Sequence, residues 1–532
     1  MKRITESSRS CRRTKGLLLL CISLAPAVTA TPRPQLAVRR NLAGVERMIE
    51  NGQLDTAEKQ LWDVLTKQPE NTTAINLLGD VRVRQNRLPE AESLFRRALG
   101  IDPKFLAAQR NLAQLFVLQG RREDARAAFA AALQTDPTDI RSKLSLGRLQ
   151  EESGEFEQSL RILTSIPAAK RPSSMLPILA SDYFGLKQPE KAAVLVELVR
   201  SEAKSDTGLL SRFARVLLDY GYVEDAEGLL KSVVISHRAD ADYLLVLARA
   251  QEMQGNLNAA QGTLTIAAKE HPDLFEAPLQ LARLASKQKQ YPAEVEWLRR
   301  ALNIQPENTE ALRHLSLAEM RSGSAAKAVG TARRLYALQP EDPDATYLLA
   351  ATLANHAEWH EARPFAEKLV AMRDDSRSHV VLGMILLNDG DIDGASREIE
   401  RALHQDPKEL EAHYYRGVIA RQRGDLSGAI TEIRSVVQEN PEHALAQVEL
   451  GTLSMQLGNL DQARVALERA VALQPDVPEN HYQLGLAYGK LGLTEKAKEQ
   501  MGEFQKLKAA ADRNRSGQTK DGEQRAGEKP ST

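Results

Sequence analysis

The side chains of this sequence that could do chemistry are few, and the clearest group is a pair of histidines. His356 and His360 lie four positions apart, with Glu358 and Glu361 beside them. Imidazole and carboxylate groups are common zinc ligands. The surrounding stretch, NHAEWHEA, has the pattern of a turn between two helices, so the two imidazoles need not share a face. It also lacks the HExxH order of a zinc hydrolase. We therefore predict no metal site here.

Three further histidines, His379, His413 and His481, recur at one position of a periodic pattern described below, and we interpret them as surface residues. The sequence contains no glycine-rich phosphate loop, no GxSxG motif and no zinc-type cysteine cluster. Cys11 and Cys21 are its only cysteines. The sequence thus predicts a protein that is not an enzyme and holds neither cofactor nor metal.

The composition favours helices over strands. The chain has 532 residues, 42% of them hydrophobic but only 5% aromatic, and it is rich in the helix formers Ala, Leu, Glu, Arg and Gln. This argues against a β-sandwich or barrel. The 71 basic residues are balanced by 71 acidic ones, which excludes nucleic-acid binding through bulk basicity. The elements that position any functional side chain should therefore be helices.

The first thirty residues have the layout of a secretory signal peptide. Basic residues crowd the first fifteen positions, an apolar run covers residues 17–24, and Val28-Thr29-Ala30 offers a small-x-small cleavage site. The apolar run is shorter than the roughly 20 residues that span a bilayer, although an uncleaved anchor remains an alternative. We expect an exported protein, periplasmic or secreted and typical of a bacterial envelope. Without residues 1–30 it would have no cysteine, no transmembrane segment and a net charge of about −5.

An internal repeat of about 34 residues organises the rest of the chain. Its most regular mark is an alanine, and twelve residues before it lies a small residue such as Gly79 or Gly451. Twelve residues after it, nine of the units have a proline. Ser159 and Glu294 stand at the alanine position in the two units that lack it. The alanines are Ala57, Ala91, Ala125, Ala192, Ala226, Ala260, Ala328, Ala362, Ala395, Ala429, Ala463 and Ala497.

Each mark of the repeat has a physical cause. Residues 72–103 show apolar side chains at helical spacing in two segments, which predicts a pair of amphipathic helices. Two helices approach closely only where their side chains are small, so we expect Gly79 to face Ala91, and a larger residue would cost about 1–3 kcal/mol. Proline cannot continue a helix and ends the second one. The units are therefore helix pairs.

This pattern resembles the tetratricopeptide repeat family. Residues 444–475, ALAQVELGTLSMQLGNLDQARVALERAVALQP, place Leu450, Gly451, Gly458, Ala463, Leu467, Ala470 and Pro475 where the family motif has them. The resemblance covers residues 38–511 in fourteen units. Residues 155–238 are irregular, with Arg171 and Lys204 where proline is expected. The resemblance implies an all-α solenoid, a right-handed superhelix of about fourteen helix pairs whose concave groove is lined by the first helix of each pair.

The domain organisation that follows is a signal peptide in residues 1–30, a linker in residues 31–37 and the repeat solenoid in residues 38–511. We expect the solenoid to end in a capping helix over residues 503–512. Residues 512–532 are polar and poor in apolar side chains, so we predict a disordered tail there. No stretch of the sequence is left over for a separate catalytic domain.

The predicted function is that of a non-enzymatic scaffold of the cell envelope or exterior, which binds extended protein segments in the groove. One alternative is a periplasmic subunit of a system that exports or assembles polysaccharide or outer-membrane components. A third and weaker alternative is an accessory protein of a glycosyltransferase, which would need a catalytic domain that the sequence does not contain.

In this family the residue after the small one on each first helix faces the groove, and this places the candidate binding residues. At this position several units have arginine, namely Arg148, Arg215, Arg249 and Arg283. Later units have apolar residues there, and Tyr347, Tyr414 and Tyr482 lie one helical turn before three of them. A partner with an acidic segment and then apolar anchors would match this order. The alternative is that the arginines pair with nearby acids of the solenoid. Those acids are Glu151, Glu152, Asp219, Glu252 and Glu276.

Overall fold

The repeat pattern appears in the structure as a succession of helix pairs. The computed structural model describes residues 33–202, 206–231 and 240–527, and in these residues it contains 28 α-helices, two 3₁₀ turns and no strand. This confirms the prediction of an all-α solenoid of fourteen pairs. The predicted signal peptide, residues 1–30, lies outside the described residues. Among the helices described, none is both long enough and apolar enough to span a bilayer.

The chain divides into two units between Asp225 and Ala226, inside α12. The helices up to this division are α1 (Arg33–Glu50), α2 (Leu54–Lys67), α3 (Thr72–Arg84), α4 (Leu88–Ile101), α5 (Leu106–Leu118), α6 (Arg122–Thr135), α7 (Ile140–Glu152), α8 (Phe156–Thr164), α9 (Leu176–Gly185), α10 (Pro189–Glu202), α11 (Thr207–Asp219) and α12 (Val223–Lys231). The helices that follow are α13 (Ala241–Met253), α14 (Leu257–Glu270), α15 (Glu276–Lys287), α16 (Tyr291–Ile304), α17 (Thr309–Arg321), α18 (Ala325–Leu338), α19 (Pro343–Asn355), α20 (Trp359–Met372), α21 (Ser376–Asn388), α22 (Ile392–Gln405), α23 (Leu410–Gln422), α24 (Leu426–Glu439), α25 (Ala444–Gln456), α26 (Leu460–Leu473), α27 (Pro478–Lys490) and α28 (Thr494–Gly527).

Odd-numbered helices are the first helices of the pairs and even-numbered helices are the second. Within each unit, first helices of successive pairs also contact each other, for example α3 with α5 and α21 with α23. The buried alanines and leucines of each pair form the core between the helices, with Ala463 and Leu467 both fully buried. The first helices thus share one face of their unit, on which the predicted binding residues lie.

A left-handed residue makes the turn inside each of the fourteen pairs. Glycine has this conformation in ten turns, since it has no Cβ to clash with the backbone. Asn86, Lys187, Lys289 and Ala357 have it in the other four, with φ between 57° and 62°. Asparagine can stabilise this conformation with its short polar side chain, whereas alanine and lysine cannot, so the turns at Ala357, Lys187 and Lys289 are strained.

The close contact inside each pair involves a large apolar side chain as well as the predicted alanine position. A Cβ on Gly79 would lie 2.4 Å from Cε1 of Phe95. Phe95 lies one helical turn after Ala91, and the same offset holds for Gly417 and Ile433, where the carbonyl oxygen of Ala429 is the next neighbour at 3.3 Å. The small residue therefore makes room for a large apolar side chain, and the alanine lets the two backbones approach.

The irregular stretch predicted over residues 155–238 begins with a short helix. The helix α8 has nine residues, and two 3₁₀ turns, Ala168–Lys170 and Ser173–Met175, separate it from α9. Arg171 stands where other units have proline, and its guanidinium donates to the carbonyl oxygens of Ile166 (2.9 Å) and Thr164 (2.9 Å). These hydrogen bonds stabilise the end of α8. In other units, proline ends the second helix because its ring cannot be accommodated in a helix. Lys204 lies outside the described residues.

Both ends of the solenoid differ from the predicted boundaries. The first helix begins at Arg33, inside the predicted linker of residues 31–37. The last helix, α28, runs to Gly527 and takes in the predicted capping helix and most of the predicted tail, residues 512–532. Residues 512–527 contain three arginines and two glutamines, which favour helix, but also three glycines, which do not. A polar composition that cannot form a core can still extend an existing helix.

Candidate binding surface on the first helices

The seven predicted binding residues lie on first helices, and most of them are exposed. The four arginines are all exposed, Arg148 on α7, Arg215 on α11, Arg249 on α13 and Arg283 on α15. Tyr347 and Tyr482 expose 41% and 39% of their surface, whereas Tyr414 is partly buried. Six of the seven candidates therefore have side chains that are accessible on first helices.

In the first unit, Arg148 borders a small cavity of about 140 Å³. Side chains of α5, α7 and α9 line it together with the turn before α9, and they are Gln114, Val117, Leu144, Ser145, Arg148, Leu149, Glu152, Ser174 and Ile178. Arg215 does not line this cavity. The structure therefore does not bring these two arginines together in one pocket.

In the second unit, Arg283 is paired within the solenoid. Its guanidinium lies 2.8 Å from a carboxylate oxygen of Glu252, and Lys287 lies 2.6 Å from the other oxygen. Burial opposes the charge on Glu252, but the bonds from Lys287 and Arg283 lower its pKa overall. Arg283 therefore agrees with the alternative prediction, in which the arginines pair with acids of the solenoid, here with Glu252 of the neighbouring helix pair.

Tyr347 borders an open cavity of about 450 Å³. Three successive pairs contribute to its walls, through Asp344, Tyr347, Arg373, Arg377, Val380, Val381, Glu409 and Glu411. Apolar surface from Tyr347, Val380 and Val381 is combined there with charges of both signs. A concave apolar surface with a few polar groups is the usual form of a ligand site, so we call this the Tyr347 cavity.

The other two tyrosines are held by aromatic neighbours. The ring centre of Tyr414 lies 5.0 Å from that of Tyr415 and 5.2 Å from that of His443, and burial raises the pKa of Tyr414 to about 12. Tyr482 lies 5.3 Å from Phe504 of α28. Tyr414 is therefore mainly a packing residue, while Tyr482 keeps one exposed side.

The three repeated histidines are not all surface residues, and that interpretation was wrong for His379 and His481, which are 3% and 6% exposed. The Nδ1 atom of His379 lies 2.7 Å from Glu398, and that of His481 lies 2.7 Å from Gln500. His413 makes the same contact with Glu432, at 2.8 Å. In each pair the partner comes 19 residues later, so these imidazoles connect the start of a first helix to the second helix.

His356 and His360 do not form a site together. His356 lies 3.3 Å from Glu358, whereas His360 lies 3.6 Å from Asp389 of the next pair. In residues 33–202, 206–231 and 240–527, no group of three or more potential ligands is placed to hold a metal ion.

Sequence reasoning missed a second cavity, between α15 and α17. It has a volume of about 310 Å³ and Glu294 of α16 at its base. The carboxylate stands at the alanine position of the repeat, so the departure was visible in the sequence, but the empty space beside it was not. We call it the Glu294 cavity. Its walls are formed by Glu276, Leu279, Gln280, Ala282, Arg283, Ser286, Leu298, Glu310 and His314.

The sequence was compared with models of known protein families. Three sequence models described as tetratricopeptide repeat match the chain, one over residues 254–309 and 380–444, a second over residues 48–115, 83–141, 116–176 and 420–487, and a third over residues 478–510. The chain belongs to the tetratricopeptide repeat family. Tetratricopeptide repeats are generally non-catalytic and bind proteins or peptides, so this tetratricopeptide repeat protein is a protein-interaction scaffold.

Three solved structures are similar to this chain at low identity. A chain of the APC/C hetero-tetramer Cut9–Hcn1 is 15% identical, with 89% of this chain and 95% of that chain covered and a TM-score of 0.40. MamA from Desulfovibrio magneticus RS-1 is 19% identical (32% and 96% covered, TM-score 0.29), and YrrB, a TPR protein with an unusual peptide-binding site, is 21% identical (34% and 95% covered, TM-score 0.29). No curated protein matches the sequence.

Proposed function

We propose that this tetratricopeptide repeat protein is exported and that its second unit binds an extended segment of a partner protein on the first-helix face. The observation that carries the proposal is the Tyr347 cavity. Its walls come from α19, α21 and α23, so a segment lying across several first helices would enter it.

The chemistry of the Tyr347 cavity suits an apolar anchor with a polar flank. Tyr347 and Val381 lie on first helices with part of their surface accessible, and aromatic side chains in such positions contribute strongly to binding. Arg373 is already paired with Asp344 at 3.1 Å, while Arg377 is exposed at the rim. A leucine, methionine or phenylalanine of the partner fits the apolar part, and a neighbouring acidic residue would meet Arg377.

Export is the second part of the proposal. It is supported by the basic and apolar segments of residues 1–24 and by the small-x-small sequence that ends at Ala30. A fusion of residues 1–35 to a reporter that is active only outside the cytoplasm should be active, and the mature protein should begin near Thr31. An intact N-terminus recovered from the cytosol would contradict this part alone.

The binding part is tested with a displayed library of random twelve-residue peptides, selected on the immobilised full chain. Replacing Tyr347 with alanine should reduce the affinity of selected peptides about tenfold, since a central aromatic anchor is lost. The matched control is Leu338→Ala, because Leu338 has the same 41% exposure but lies on the second helix α18. Failure to select any peptide, or equal losses in both variants, would contradict the proposal.

A further inference from the structure

The Glu294 cavity has a carboxylate whose surroundings do not explain its presence. Glu294 is 3% exposed, and within the part of the chain that the structure describes its Oε2 atom has no hydrogen-bond partner. The other oxygen, Oε1, lies 3.8 Å from the guanidinium of Arg321. An ionised carboxylate that is buried with an oxygen unpartnered costs free energy.

A nearby buried carboxylate shows what a purely structural arrangement looks like. Glu319 is 2% exposed, and both of its oxygens are bonded, one to Arg299 at 2.6 Å and the other to Thr331 at 2.7 Å. Glu294 has no such pair of bonds, although it stands at a position where twelve units of this chain have alanine. Its free oxygen is on a side chain that lines open space.

The charges around the cavity leave it with an excess of acidic groups. Glu276 and Glu310 are exposed at its walls, while Glu294 is at the base. Arg283 also lines the cavity, but its guanidinium is held by Glu252 at 2.8 Å. His314 lies 3.9 Å from Glu310. An anion would meet repulsion here, whereas a cation would be attracted by three carboxylates, Glu276, Glu294 and Glu310.

We propose that this cavity receives the side chain of a lysine or arginine from the partner segment, with its N–H group donating to the carboxylate of Glu294, whose Oε2 atom is covered in the free protein and would have to turn towards the bound group. Leu279 and Leu298 line the same space and would contact the methylene groups of that side chain. A volume of about 310 Å³ is sufficient, since ligand sites begin at about 300 Å³. The inference rests on the proposed function, which it deepens by naming a basic residue in the bound segment.

The inference predicts that Glu294 can be removed without loss of folding. Glu294→Ala introduces the residue that most other pairs have at this position, and it also removes a buried charge. The variant should therefore unfold at the same or a higher temperature than the wild type. A lower melting temperature would show that the carboxylate stabilises the pair, and it would contradict the inference.

The binding experiment uses the displayed peptide library on the full chain and on three variants, Glu294→Ala, Glu294→Gln and Glu296→Gln. Glu296 is the matched control, because it is an exposed acid on the same helix, 2.9 Å from Arg300. We expect peptides selected on the wild type to share a lysine or arginine at one position. Both Glu294 variants should bind these peptides with about tenfold lower affinity, and Glu296→Gln should bind them with unchanged affinity.

A paired measurement separates this contact from general attraction of basic peptides. Replacing the shared basic residue of a synthetic peptide with norleucine should weaken binding to the wild type about tenfold but should hardly affect binding to Glu294→Gln. Equal losses on both proteins would overturn the inference. Peptides that depend on Tyr347 but show no shared basic residue would overturn it while leaving the proposed function intact, and selection of no peptide at all would contradict both.

Discussion

Two helix pairs of the second unit, α25–α26 and α15–α16, have the same repeat pattern but differ in the residue at its alanine position. In α25–α26 the position holds Ala463, and the space beside it is full, since a Cβ on Gly451 would lie 2.4 Å from Leu467. In α15–α16 the position holds Glu294, beside a cavity of about 310 Å³. One pair shows how the repeat obtains stability, and the other shows where it has room for a ligand.

The strongest test of this difference is to move the carboxylate into the filled pair. Ala463→Glu would bury a charge with no space for water or a ligand, and we expect it to destabilise α25–α27 by about 3–5 kcal/mol. Amide hydrogen exchange of the intact protein measures the loss locally, because each pair of a solenoid contacts only its neighbours. Exchange that rises equally in α3–α6 would contradict a solenoid with local stability.

A purely steric change at the same position should cost less. Ala463→Leu overfills the contact with Leu467 and should destabilise the C-terminal pairs by about 1–3 kcal/mol. The companion variant Glu294→Leu adds apolar volume beside an open cavity, so we expect it to be tolerated. Thermal unfolding that shows equal losses for the two variants would mean that the two pairs do not differ in packing.

A buried carboxylate of the first unit should make the stability of the folded protein depend on pH. Asp182 is fully buried and accepts a hydrogen bond from Ser159 at 2.7 Å, and burial raises its pKa from 3.8 to about 7. The native state therefore holds a proton that the unfolded chain releases, so this contribution to stability is complete below pH 4 and is lost as the pH rises to about 7.

Asp182→Asn should accordingly stabilise the protein at pH 8, by about 1–3 kcal/mol, and the gain should disappear towards pH 4. Asp63→Asn is the control, since Asp63 is exposed and should leave the pH profile unchanged. Melting temperatures of the three proteins between pH 4 and 8 measure the difference. A gain that is the same at every pH would exclude titration of Asp182 as its cause.

The smallest effects are expected at the turns inside the pairs. Ala357→Gly should stabilise its pair by about 1 kcal/mol, because φ at Ala357 is 62° and glycine tolerates this conformation. Gly458→Ala should do the reverse, since φ at Gly458 is 82°. Hydrogen exchange of α19–α20 and α25–α26 would show both changes, and two effects of the same sign would exclude backbone conformation as their origin.

The periodic marks of the sequence predicted much of the architecture. Spacing of alanine and proline predicted fourteen helix pairs, because these marks follow from local helix geometry, and the resemblance to the tetratricopeptide repeat family placed Arg148, Arg283 and Tyr347 on the first helices. Contacts between side chains were not accessible in this way. The burial of His379 depends on Glu398, 19 residues later, and the sequence left open whether Arg283 faces a ligand or pairs with Glu252, as it does.

The positions of cavities were the other property that could not be predicted from the sequence. The substitution of glutamate for alanine at position 294 was visible, but a full contact or an open cavity beside it depends on how three helices meet. The same holds for the Tyr347 cavity, whose walls come from three first helices. Residue types predicted a binding face, and only the structure located the three cavities on the first helices, two of them in the second unit.

The most direct test of the account is hydrogen exchange of the full chain with and without a peptide selected from the library. We predict that the bound peptide slows exchange on first helices of the second unit, α15 to α23, and on α16, which carries Glu294, and leaves the second helices α18, α22 and α24 unchanged. Protection confined to the second helices, or to the first unit, would contradict binding on the first-helix face.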